Sequence, residues 1–147
     1  MGLVGKVQGK LVGVDTSIFI YFIEKKNPAY IQTLREFFKK NKDGKIRLVT
    51  STITLLEVLV QPFRQSRYDL VEKYKKILEE SEYIELVDFN TLISEISAKI
   101  RAKSGIRTPD AIQIGTSIHS NADYFLTNDK RLKTVEDIPI IILEDFV

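Results

Sequence analysis

Four acidic residues stand at places where a chain of alternating strands and helices could gather them. Asp15 follows the apolar run Leu11–Val14, and Glu57 lies inside STITLLEVLVQ. Asp110 opens TPDAIQIGTSIH, and Asp129 comes just past YFLT. Each has an ordinary structural reading. Asp15 and Asp129 are good helix N-caps or turn residues, and Asp110 makes a favourable contact with a helix dipole, worth about 0.3–1 kcal/mol. Glu57 shares a narrow polar stripe with Thr54 and Gln61 on a helix that is otherwise apolar and expected to be largely buried. A second stripe, Asp110, Gln113 and Ser117, follows the same logic.

Taken together, the acids say more. Each falls at the C-terminal end of a strand or on the helix entering there, and open α/β sheets place their ligands at that edge. Two carboxylates about 5 Å apart repel by roughly 3 kcal/mol at an effective dielectric near 20. A cluster of Asp15, Glu57, Asp110 and Asp129 therefore calls for a cation, raised pKa values, or both. Oxygen ligands with no cysteine in the chain, and no histidine nearby in sequence, suit Mg²⁺ or Mn²⁺ rather than Zn²⁺. Such a site polarises a phosphoryl oxygen and makes a bound water more acidic, which is the chemistry of phosphodiester hydrolysis. One carboxylate can position or deprotonate the attacking water. Arg107, Lys130, Arg131 and the helix carrying Lys99–Lys103 are the cations expected to hold a nucleic-acid backbone there.

The elements that must position these residues can be read from periodicity. Leu11–Val14 is a short β-branched run, followed by helical spacing through Ile18, Phe19, Phe22 and Ile23. A helix over about Ala29–Lys42 and a strand over Ile46–Thr50 come next, then a helix from Ser51 or Thr52 to about Gln61, ending before Pro62. Further on lie a helix over about Tyr68–Ser81, a strand at Tyr83–Val87 and an Asn90-capped helix to about Lys103. Gly105 closes that helix. Thr108 is expected at N-cap with Pro109 at N1 of the next helix. Tyr124–Thr127 and Ile140–Leu143 are the last strands, with a short helix between them. The alternation implies an α/β fold, a three-layer α/β/α sandwich around a central, mostly parallel five-stranded sheet with right-handed crossovers.

The 147 residues fit a single domain, 1–147, with residues 1–9 expected to be a loosely ordered lead-in. An apolar fraction of 44% is that of a globular protein. No run approaches a membrane span, and the N-terminus fits neither a signal peptide nor a myristoylation pattern. These features make the cytoplasm the default location and leave no place for a membrane partner. A net charge of +2 excludes a basic nucleic-acid-coating protein. His119, the single histidine, lies three turns into its helix and is read as structural or exposed. Tyr21, Phe22, Phe37, Phe38, Tyr74 and Phe125 sit at core spacing, so none is taken as a base-stacking platform.

VDTSIFI, STITLLEVL, TPDAIQIGTSI and LTNDKRL, in that order, resemble the four acidic motifs of PIN-domain nucleases. The resemblance covers Val12–Leu143, and the size is most similar to the VapC-type toxins of toxin–antitoxin pairs. It implies an Mg²⁺- or Mn²⁺-dependent endoribonuclease, a homodimer, and a small antitoxin protein that restrains it. Asp15 and Asp110 correspond to the main metal ligands, Glu57 and Asp129 to the remaining acids, and Thr127 to a hydroxyl supporting the site. A catalytically degenerate PIN fold that binds RNA or a protein is the alternative. A haloacid-dehalogenase-type phosphatase would need an acid where Ser17 stands. A phospho-receiver domain would need an acid pair after the first strand, which is absent.

Overall fold

The computed structural model describes residues 2–147. A short helix α1 (Leu3–Val7) leads into β1 (Leu11–Val14), followed by α2 (Thr16–Glu24), α3 (Pro28–Lys42), β2 (Arg47–Ser51), α4 (Thr52–Arg64) and α5 (Tyr68–Glu80). The second half comprises β3 (Ile84–Val87), α6 (Thr91–Ser104), α7 (Thr108–His119), β4 (Tyr124–Thr127) and β5 (Ile140–Ile142), with a 3₁₀ turn at Lys130–Thr134. The five strands form one sheet in the order β3-β2-β1-β4-β5, and every pairing is parallel.

Alternation along the central strands divides the core in two. Val12 and Val14 of β1, with Leu126 of β4, pack under α1, α2, α3 and α5 through Leu3, Ile18, Phe19, Leu34, Phe37 and Tyr74. On the opposite face Phe125 packs with Ile100 of α6 and Ile114 of α7. Gly13 points to that second face. A Cβ there would come within 1.8 Å of the Ser117 Oγ, so the glycine is what lets α7 lie directly on β1. Gly105 ends α6 at φ +71°, a left-handed position that glycine occupies without strain. The Asn90 side chain caps α6 by accepting from Ile93 N at 2.9 Å.

Three expectations are corrected. The lead-in is ordered over Leu3–Val7, because Leu3 and Val7 stand one helical turn apart and both are buried in the first core. Helix α4 runs through Pro62 to Arg64 rather than stopping at Gln61. Pro62 lies in its last turn and costs an amide bond, while Gln65 N still reaches Gln61 O at 3.0 Å. At α7 the N-cap is Arg107, without a side-chain cap, so Thr108 and Pro109 are the first two helical residues.

Candidate active site

The parallel register sets Val14 of β1 beside Leu126 of β4, so Asp15 and Thr127 emerge side by side at the C-terminal edge. There the Thr127 hydroxyl donates to Asp15 Oδ2 at 2.6 Å and accepts from Asp129 N at 3.1 Å, tying the first acid to the last. Asp15 Oδ1 accepts from Thr16 N at 2.8 Å, as an N-cap does. Helices α4 and α7 begin at the same edge. Asp15, Glu57, Asp110 and Asp129 thereby line one open cleft of about 660 Å³, with Arg107, Lys130 and Arg131 on its wall.

Beneath the cleft is a buried polar network that the sequence reading did not anticipate. The amide of Gln113, on α7, donates to the hydroxyls of Thr54 (2.5 Å) and Thr16 (3.1 Å). Thr54 lies 2.8 Å from the Thr50 hydroxyl, which donates to the Val14 carbonyl at 3.0 Å. Thr16 in turn donates to Glu57 Oε1 at 2.7 Å. With one proton per hydroxyl, this order satisfies the members together: Gln113 supplies two, Thr54 gives to Thr50, and Thr16 gives to Glu57. A satisfied buried network of this kind rigidifies what it holds, and here it holds Glu57 from below. The available signal was the pair of polar stripes, on two apolar helices that enter from opposite faces of the sheet.

A further correction concerns the helix that carries Thr54. Helix α4 buries Thr54, Val58 and Pro62, with Leu55 and Leu59 packed on the core. Rather than being buried nearly all round, it turns Leu56 (61% exposed), Val60 and Phe63 outward beside Gln61 and Arg64.

The acids differ in their electrostatics. Burial pushes the Asp15 pKa up to about 6, opposed by the hydrogen bonds from Thr127 and Thr16 and reinforced by the charges of Asp110 and Glu57. Asp129 is held below the usual carboxylate range, chiefly by its hydrogen bonds from Arg131. Arg131 is bidentate on it, with Nε 3.0 Å from Oδ1 and Nη2 2.7 Å from Oδ2. Arg107 Nε lies 3.3 Å from Asp110 Oδ2. Among the described residues, no three acids stand close enough together to form a ready-made metal cage. The four share a cleft without being drawn to one point.

Lys130 lies on the cleft wall, as its position after the last acid predicts, and there reaches Glu144 at 3.3 Å. Among the remaining residues, the helix carrying Lys99–Lys103 and Tyr21 depart from expectation. Lys99 and Lys103 of α6 pair with Glu95 and Asp137 and do not line the cleft. Tyr21, assigned to the core by its spacing, stands half-buried on the cleft wall, its ring 4.9 Å from that of Tyr30.

Residues 12–138 match the family model of the PIN domain. No curated protein sequence matches the chain. Among solved structures, VapBC2 of Rickettsia felis bound to a promoter DNA fragment has a TM-score of 0.69 at 17% identity, over 90% of this chain and 98% of that one. DNA-bound VapBC of Salmonella typhimurium gives 0.63 at 21%, over 91% and 98%. FitAcB of Neisseria gonorrhoeae gives 0.66 at 16%, over 91% and 98%. At such identities these likenesses speak for the fold, and it is the match across most of the chain that places it: this protein belongs to the PIN-domain family.

Proposed function

We propose that this PIN domain is an Mg²⁺- or Mn²⁺-dependent endoribonuclease and the toxin of a toxin–antitoxin pair, working in the cytoplasm as a homodimer. One observation carries the reading: four carboxylates from four separated segments open on one cleft, and the most desolvated of them, Asp15, has its pKa raised to about 6. The donors fit such an ion in type, since all are carboxylate oxygens. A cation beside Asp15 would offset the cost of its buried charge. Asp15 and Asp110 would be the principal holders, with Glu57 and Asp129 completing the set.

When bound, the ion supplies Lewis acidity to the phosphodiester and a more acidic water. The chain's own groups do the remaining work. Glu57 Oε1 is fixed by Thr16, which leaves Oε2 to take a proton from the attacking water. The water oxygen bonds to phosphorus as the bond to the leaving ribose oxygen breaks, and that oxygen is reprotonated from solvent. Arg107 and Arg131 hold the non-bridging phosphate oxygens. The outward apolar side of α4 (Leu56, Val60, Phe63), continuing to the exposed Tyr68, is a surface for a protein partner.

The test is cleavage of a total RNA pool with Mn²⁺, wild type against Asp110→Asn, with the new ends mapped by sequencing. Discrete cuts that vanish in the variant and with chelator are expected. A second reading, a degenerate PIN fold that only binds, is favoured by the absence of a ready-made cage among the described residues. A folded wild type that neither cuts nor binds Mn²⁺ would establish that reading instead.

A further inference from the structure

The oxygens that a divalent cation would need on two of the acids are the ones that two guanidinium groups hold. Arg131 grips both oxygens of Asp129, and Arg107 contacts Asp110 Oδ2. In each pair the acid faces inward and the arginine outward: side-chain exposure is 25% for Asp129 against 76% for Arg131, and 14% for Asp110 against 71% for Arg107. Either guanidinium can therefore swing away without losing packing, and it stays charged wherever it goes. A divalent ion and two guanidiniums together balance four ionised carboxylates. Once the ion is bound it offsets half of the cluster's four negative charges, so the hold of the acids on the two arginines weakens and leaves them beside the site to meet an anion.

We propose that Arg131, assisted by Arg107, is a positioning residue that couples cation binding to phosphate binding: it occupies the Asp129 carboxylate until a divalent cation claims those oxygens, and is then released to the nucleic-acid backbone. This rests on the metal-nuclease reading above. The two sites become linked through one side chain with two alternative partners. By reciprocity, the factor by which the cation tightens backbone binding equals the factor by which the backbone tightens cation binding.

Calorimetry on the full chain tests this, with Mn²⁺ alone and with a single-stranded phosphorothioate DNA oligonucleotide, which resists hydrolysis. Arg131→Gln is compared with wild type and with Lys133→Gln. The latter removes the same charge from the same 3₁₀ turn but pairs with Asp145. An exposed ion pair of this kind corresponds to a competition of about two- to fivefold, so Arg131→Gln is expected to bind Mn²⁺ tighter than Lys133→Gln by about that factor. The gain in oligonucleotide affinity on adding Mn²⁺ should shrink in Arg131→Gln by a similar factor. Equal Mn²⁺ affinities in the two variants, or an undiminished gain in Arg131→Gln, would overturn the coupling while leaving the nuclease reading in place. A wild type that binds no Mn²⁺ would overturn the nuclease reading itself.

Discussion

Replacing Asp15 with asparagine should make the metal-free protein more stable at alkaline pH, though it removes an expected ligand. In the fold the Asp15 pKa stands at about 6 against an ordinary 3.8, because burial disfavours its charge. Between those two values the native state binds a proton that the unfolded chain does not, so stability falls as pH rises from about 4 to about 6, then levels off. At about 1.4 kcal/mol per pH unit, the ionised carboxylate costs the fold about 3 kcal/mol above that window. Asparagine is uncharged and caps helices as well as aspartate, but one of its terminal atoms is a donor. It therefore loses one of the contacts that Thr16 N and the Thr127 hydroxyl make with Asp15, at about 1 kcal/mol. The balance is about 2 kcal/mol in favour of the variant at pH 8, or roughly 4–8 °C in Tm for a chain of this length. Urea unfolding with chelator at pH 8 and pH 4 measures it, and the advantage should disappear at pH 4. Mn²⁺ should then stabilise the wild type and not the variant. A variant less stable than wild type at pH 8 would mean that Asp15 serves the fold, and the argument from its desolvation would fail.

Thr16→Val removes the hydroxyl that fixes Glu57 and accepts from Gln113, and should cost about 1–3 kcal/mol of stability together with a fall in cleavage rate. Thr16→Ser, which keeps the hydroxyl, should recover most of the rate in the same assay. Gly13→Ala drives a methyl group into Ser117 and should destabilise by about 1–3 kcal/mol. Adding Ser117→Gly should restore part of that in a thermal melt, and no recovery would place the clash elsewhere. Leu56→Glu should leave the monomer's stability within about 0.5 kcal/mol, since Leu56 is largely exposed. It should weaken self-association or antitoxin binding, read by sedimentation, if the outward side of α4 is a partner surface.

The fold was legible where a local rule decides it. The first strand is four apolar residues ending in an acid, and the Asn90 and Gly105 signals bracket α6 within a residue. What local periodicity does not carry is which side of a helix faces the core when both sides are plausible. The spacing of α4 predicts a helix buried nearly all round with Thr54 on a polar stripe, yet one side lies open and Thr54 is fully buried, because Thr50 and Gln113 satisfy its hydroxyl. The Gln113 partner lies 59 residues away, beyond any helical window. The same reason hid the roles of the cations. Arg107, Lys130 and Arg131 could be placed near the cleft from their position after a strand or before a helix, but the choice of Asp110, Glu144 and Asp129 as partners depends on side-chain geometry across the edge.

For Asp15 and Asp129 the structural and chemical readings are not rivals, because a carboxylate oxygen has more than one direction in which to accept. Asp15 caps α2 through Oδ1 and receives Thr127 on Oδ2, which uses one lone pair on each oxygen. Asp129 Oδ1 likewise accepts from Arg131 N at 3.0 Å and so caps the 3₁₀ turn. Capping holds each acid in a fixed rotamer at the sheet edge, where a flexible acid would relax away from its neighbours' charge. The cap supplies the preorganisation. On Asp15 one lone pair of each oxygen is left to a cation, whereas on Asp129 the Arg131 guanidinium takes two further positions that a cation would have to claim from it. A cap that leaves no lone pair free would fix the helix equally well and exclude the chemistry, so the number of acceptor positions left over, rather than the presence of a cap, is what separates a structural acid from a candidate ligand.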